Sequence, residues 1–140
     1  MLSLFSKFSQ LPTPILLLII HASSGLCQSL QINQTISLSS SSLSSSTFSL
    51  PQSSSPLTIS VALCSSPSRD GPRFFVTNNS AVNDPGPNTK DDVFEIEVGD
   101  NGIGSVTLEK LSNGGVFGVT LGSGTESFEV GVSDKGPYYE

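Results

Sequence analysis

The chain has 140 residues, a formal charge of −6 and a single histidine, His21. That length holds one domain at most. The acidic balance disfavours nucleic acid and anionic membrane surfaces, both of which select Lys and Arg.

Lys7 is the only charge before Arg69, and it precedes the apolar run Ile15-Leu16-Leu17-Leu18-Ile19-Ile20. Ala22, Ser23, Ser24 and Gly25 follow, then Leu26-Cys27-Gln28. This is the order of a secretory signal: charged region, apolar region, small-residue cleavage zone. A membrane anchor needs about 20 consecutive apolar residues, and Pro12, Pro14, His21 and two serines interrupt this stretch. Residues 1–27 are therefore expected to form the helix of a signal peptide, leaving no direct membrane span in the chain. Cleavage is expected after Gly25 or after Cys27. The second choice leaves residues 28–140 as an extracellular domain with Cys64 as its only cysteine. An odd cysteine predicts a disulfide partner outside this chain, or Cys27 if it is retained. Together with the abrupt end at Gly136-Pro137-Tyr138-Tyr139-Glu140, it predicts the N-terminal part of a longer protein.

Beyond the signal, Leu30 to Leu38 alternates apolar with polar residues for most of its length, as does Phe48-Ser49-Leu50. Period two is the mark of a strand. The serine-rich stretch 39–46 has the composition of a linker, but strands on both sides favour a loop within one domain. Leu57 to Leu63 alternates again, and Arg73-Phe74-Phe75-Val76-Thr77 reads as a strand buried on both faces. The loop from Asn78 to Lys90 is rich in turn formers. In Val93 to Val98, Phe94, Ile96 and Val98 share one face and Glu95 and Glu97 the other. Turn signals at Gly99-Asp100-Asn101-Gly102, Ser112-Asn113-Gly114-Gly115 and Gly122-Ser123-Gly124 separate strands over 103–109, 116–121 and 127–132. Evenly spaced strands predict an all-β fold, an antiparallel β-sandwich of jelly-roll type, with the last strands as a meander. The expected core is Phe48, Ile59, Val61, Phe74, Val76, Phe94, Ile96, Val98, Val106, Leu108, Val119, Leu121, Phe128 and Val130.

Chemistry is limited by what the mature chain lacks. With His21 in the signal, no histidine remains to activate a serine or cysteine nucleophile or to join a zinc site. The glycines of Gly99-Asp100-Asn101-Gly102-Ile103-Gly104 join two strands, so hairpin geometry explains them better than a phosphate loop, which leads into a helix. Glu95 and Glu97, about 6.5–7 Å apart along a strand, have the residue types of a glycosidase acid/base pair. The alternation instead assigns them to a solvated outer face. Asp91-Asp92 and Asp100-Asn101 offer oxygens to calcium, without EF-hand spacing and at positions where turns favour Asp and Asn anyway. No catalytic residue, cofactor or metal is expected. Two sequons, Asn33-Gln34-Thr35 and Asn78-Asn79-Ser80, mark Asn33 and Asn78 for N-glycosylation. Asn78 is the favoured site, since it opens a loop while Asn33 lies within a strand pattern.

Six segments in order carry a family resemblance: 29–38 (SLQINQTISL), 47–51 (TFSLP), 57–66 (LTISVALCSS), 73–78 (RFFVTN), 92–96 (DVFEI) and 128–134 (FEVGVSD). Together they resemble the N-terminal region of the fungal Mid family of stretch-activated calcium-channel components. The resemblance implies a glycosylated, non-catalytic regulatory component on the extracellular face of the plasma membrane. Its partner would be the pore-forming subunit of a calcium channel, whose calcium influx it promotes. Members of that family continue into a cysteine-rich C-terminal region absent here, and no partner-binding residue transfers. The residues alone leave a second function open: a secreted cell-wall or surface module for adhesion or glycan binding.

Overall fold

The computed structural model describes residues 28–40, 46–64, 70–89, 92–122 and 126–139. The signal-peptide helix expected over 1–27, and Cys27 with it, lie outside the described residues.

The described chain is all-β, with strands β1 (Gln28–Ser29), β2 (Gln34–Ser39), β3 (Thr47–Leu50), β4 (Leu57–Leu63), β5 (Arg73–Thr77), β6 (Val93–Ile96), β7 (Ile103–Leu108), β8 (Gly115–Thr120) and β9 (Ser127–Ser133). They form two sheets, one in the order β1-β3-β8-β5-β6 and the other β2-β9-β4-β7. Every pairing is antiparallel except the short parallel contact of β1 with β3. The period-two segments thus became strands nearly where the alternation placed them.

Their connections differ from the expected meander. Only β5 and β6 are both consecutive and paired; every other connection passes from one sheet to the other. Gly99-Asp100-Asn101-Gly102 therefore links β6 in one sheet to β7 in the other and is no hairpin within a sheet. The turn is closed locally: Gly102 N–H donates to the Gly99 carbonyl at 2.9 Å and Gly99 N–H to the Ile103 carbonyl at 3.0 Å. Gly102 has φ of 81°, where a Cβ would be strained. A turn signal of this kind specifies a reversal of direction, and direction is reversed equally by a hairpin and by an arch between sheets.

The sheets face each other across one core. Phe48, Phe74 and Phe117 come from the first sheet, and Ile59, Val61, Phe128 and Val130 from the second. Phe74 joins the two layers, with ring centroids 6.0 Å from Phe117 in its own sheet and 5.0 Å from Phe128 opposite. Leu57, Leu111 and Phe117, outside the expected core, are fully buried, whereas Phe94 and Leu121, inside it, are 51% and 41% exposed. The cause is position. Ile96 sits beside the β6–β7 turn, its Cγ2 3.1 Å from where a Cβ on Gly104 would stand. Phe94 shares its face but lies two residues further from that turn, on the outermost strand of its sheet. Leu121 lies just past the end of β8.

The expected strand over 30–38 is broken. Asn33 takes a φ of 62°, and β2 begins only at Gln34. The alternation of Leu30 and Ile32 with their neighbours lapses over Asn33-Gln34-Thr35 and resumes in the same phase at Ile36, so the lapse marks the kink.

Candidate functional site

The strand registers define two ends. The ends of β2, β4, β6 and β8 and the starts of β3, β5, β7 and β9 gather at one end with Cys64. Connections 51–56 and 109–114, and the described residues 78–89 after β5, gather at the other with Asn78. Between them lie the two outer faces, each crossed by a segment of the chain.

On the first sheet, the loop after β5 folds back over the strands. Gly118 stands against the carbonyl oxygen of Pro85, and Pro85 itself is buried. Phe75, on the outer face beside Gly118 in the β5–β8 register, is only 3% exposed as a result. The burial of Phe74, Phe75, Val76 and Thr77 together is the two-faced burial expected from their sequence.

Beside this loop, Arg73 forms a bidentate pair with Glu95, Nε to Oε1 at 2.8 Å and Nη2 to Oε2 at 2.9 Å. Its guanidinium carbon also lies 5.2 Å from the centre of the Phe75 ring. The hydrogen bond from Arg73 lowers the Glu95 pKa below the ordinary carboxylate value and raises that of Arg73. A general acid requires the opposite shift. Glu97 is exposed and lies beyond the end of β6.

The depressed Glu95 pKa fixes a sign. The pair contributes stability above the unfolded carboxylate pKa and loses it as pH falls through the lower folded value. Both side chains are exposed, at 48% and 36%, so screening keeps the contribution small. Arg73→Gln is expected to destabilise slightly at pH 7, and the gap from the parent should shrink by about pH 3. Urea titrations at both pH values would read this, and a gap independent of pH would contradict it.

The second sheet is crossed by residues 134–139. Tyr138 N–H donates to Ser60 Oγ at 3.2 Å, and its ring fills the notch left by Gly131, with Cδ2 2.6 Å from where a Cβ would stand. Beneath lie hydroxyls: Ser60 is fully buried, and Thr58 Oγ1 lies 2.8 Å from Thr107 Oγ1. The Tyr139 hydroxyl is buried with no hydrogen-bond partner. Burial raises its pKa above 10.0, helped by Glu129 and then by Tyr138 and Cys64. The sequence shows both tyrosines only as members of the terminal run 136–140, and the glycine at 131 within a strand is the one signal for a packed aromatic.

A raised tyrosine pKa means that docking of this segment is fully stabilised below pH about 10 and weakens as pH rises through the folded value. Tyr139→Phe removes an unsatisfied buried hydroxyl and is expected to be neutral or stabilising at pH 7. It should also flatten the alkaline loss of stability. A destabilising Tyr139→Phe would show that the hydroxyl has a partner.

The other sequence candidates are scattered. Asn101 Oδ1 accepts from Ile103 N–H at 3.1 Å, so the turn itself uses it. Asp91 lies outside the described residues, and among those described no three metal-ligating side chains gather. The amides of Gly99 and Gly102 are spent within their turn. Cys64 is exposed and has no disulfide partner among the described residues.

Asn78 is exposed directly after β5. A shallow cleft beside it is lined by Asn78, Asn79, Ser80, Lys110, Ser112 and Asn113, with Lys110 the one ionisable side chain. Asn33 is also exposed and stands in a kink, so the strand context that counted against it is absent. Among the described residues no helix is long and apolar enough to cross a membrane.

No protein-family model, curated protein or solved structure matches the chain.

Proposed function

We propose that the chain is a non-catalytic extracytoplasmic component of a plasma-membrane stretch-activated calcium channel, acting on the pore-forming subunit to promote calcium influx. The observation that carries the reading is the order of the segments resembling the Mid family. Residues 29–38 span the end of β1 and most of β2, 47–51 hold β3, 57–66 hold β4, 73–78 hold β5, 92–96 hold β6, and 128–134 hold most of β9. The resembling strings are thus the strands of one two-layered body, and their sequence is constrained by a shared core.

The same reading includes a cleaved signal over 1–27, delivery to the extracellular face, and glycans on Asn33 and Asn78. Cys64 would pair with a cysteine outside the described residues. It also includes a jelly-roll of eight strands, β2 to β9, which the sheet orders β2-β9-β4-β7 and β3-β8-β5-β6 support. The electrostatics suit an extracellular role: removal of Lys7 with the signal leaves five basic residues against twelve acidic.

Affinity capture of the tagged full chain from solubilised membranes tests the proposal. Recovery of the channel pore subunit supports it. Recovery in the cell-wall fraction, with no channel subunit, supports an adhesion or glycan-binding module instead.

A further inference from the structure

The cleft at Asn78 is built on firmly held backbone. Leu111 is fully buried, and its carbonyl accepts from Ser53 N–H and Gly114 N–H, each at 3.0 Å, which fixes the turn carrying Lys110, Ser112 and Asn113. Behind that turn Gly115 stands so close to the chain after β5 that a Cβ on it would lie 3.3 Å from Asn78 Cα. On the opposite wall, Asn79 N–H donates to Thr77 Oγ1 at 3.0 Å. Asn79 Oδ1 accepts from Ala81 N–H at 3.0 Å and the Asn79 carbonyl from Val82 N–H at 3.1 Å, so Asn79 is spent on its own turn. The side chains of Ser80, Lys110, Ser112 and Asn113 make no hydrogen bond among the described residues. The cleft therefore presents an ammonium, an amide and hydroxyls with their bonding capacity unspent by the protein.

These groups match the hydroxyls and acetamido group of a sugar, but they are too few to hold a free one. The cleft has a volume of about 280 Å³, and no aromatic ring among the described residues lines it. Small-molecule sites run from roughly 300 to 1,000 Å³ and rely on apolar and aromatic walls. A tethered sugar escapes this limit, because a short tether supplies an effective concentration in the millimolar range. Asn78 lines the cleft itself and is such a tether. A second cleft continues from the first, sharing Ser80 and Asn113, and adds apolar surface at Leu50, Val82 and Val116.

We propose that the two protein-proximal sugars of the Asn78 glycan lie along these clefts, the first against Lys110, Ser112 and Asn113 and the second against Val82 and Val116. The glycan thereby ties the chain after β5 to the turn between β7 and β8. The inference rests on the secretory reading above, which supplies the glycan. In that modification the Asn78 side-chain amide nitrogen bonds to the anomeric carbon of a lipid diphosphate-linked oligosaccharide. The lipid diphosphate leaves with the electron pair, and the amide gives up one proton. The docking adds hydrogen bonds from Lys110 and Asn113 to the sugars and contact of their acetamido methyls with the valines.

The test uses the full chain secreted from a eukaryotic host. Peptide mapping reads the occupancy of Asn33 and Asn78. Hydrogen exchange reads residues 109–114 with and without the Asn78 glycan, removed by Asn78→Gln. The same pair is measured on a background of Lys110→Ala with Asn113→Ala, which keeps the sequon. The expected result is an occupied Asn78 and exchange slowed about fivefold by the glycan, the effect of one net hydrogen bond. On the double-alanine background the glycan should change nothing. Equal exchange with and without the glycan at an occupied Asn78 overturns the docking alone. A glycan effect that persists on the double-alanine background overturns the cleft as its seat. An unoccupied Asn78 beside an occupied Asn33 overturns the inference and leaves the secretory reading standing. Absence of glycan from both asparagines overturns the secretory reading as well.

Discussion

Replacing Phe74 by alanine is expected to cost about 3–5 kcal/mol, the range for removing a buried aromatic ring. Phe74 is fully buried and is the ring that touches both layers, Phe117 at 6.0 Å and Phe128 at 5.0 Å. Its loss removes the buried area and two aromatic contacts, and it leaves a cavity between sheets that strands on both sides hold apart. A small domain has about 5–15 kcal/mol in total, so Phe74→Ala removes a large share, with a melting temperature lower by about 15 °C. Phe94→Ala is the matched control, because Phe94 is 51% exposed and outside the core cluster. Equal losses at the two positions would contradict the placement of the core.

Gly118→Ala is the second large effect. The added Cβ would meet the Pro85 carbonyl oxygen and lie 2.9 Å from Pro85 Cγ. A carbonyl oxygen cannot yield as a side-chain tip can, so the loop carrying Pro85 must lift from the sheet. Overpacking of this kind costs about 1–3 kcal/mol, and lifting the loop uncovers Phe75. Hydrogen exchange should speed up across residues 78–89 and remain unchanged in β9, which lies in the other sheet. Gly86→Ala provides the contrast within the same loop, since its Cβ would meet Thr120 Oγ1 at an ordinary 3.6 Å. If Gly118→Ala leaves both stability and exchange at parental values, the loop does not rest on the sheet as described.

The strands were legible in the sequence because alternation is a local property. Leu57 to Leu63 and Ser127 to Ser133 reveal their period without reference to any neighbour. Partnership is not local, which is why the expected meander gave way to strands alternating between sheets. Nothing in Gly99-Asp100-Asn101-Gly102 records whether the next strand joins the same sheet or the facing one. Phe94 illustrates the same limit: its face follows from periodicity, but its exposure follows from its place on the outermost strand of its sheet, two residues further than Ile96 from the β6–β7 turn. Gly118 and Gly131 look like weak points in strands until Pro85 and Tyr138 are seen to fill the space above them.

Candidate chemistry was less legible than fold. The sequons are readable as motifs, yet the exposed, positive-φ setting of Asn33 is visible only in the structure. The Glu95–Glu97 pair shares a face in sequence, but the bidentate contact with Arg73 depends on the β5–β6 register, which no short-range pattern encodes. Asp100 and Asn101, which the sequence assigns to a turn ahead of a calcium site, lie in a turn that uses Asn101 for itself.

The central claim concerns calcium entry, and stress-evoked calcium uptake in cells lacking this gene tests it most directly. The expected result is reduced uptake on membrane stretch, restored by the full chain and not by its Phe74→Ala variant. Uptake that is unchanged by loss of the gene would contradict a role in the channel.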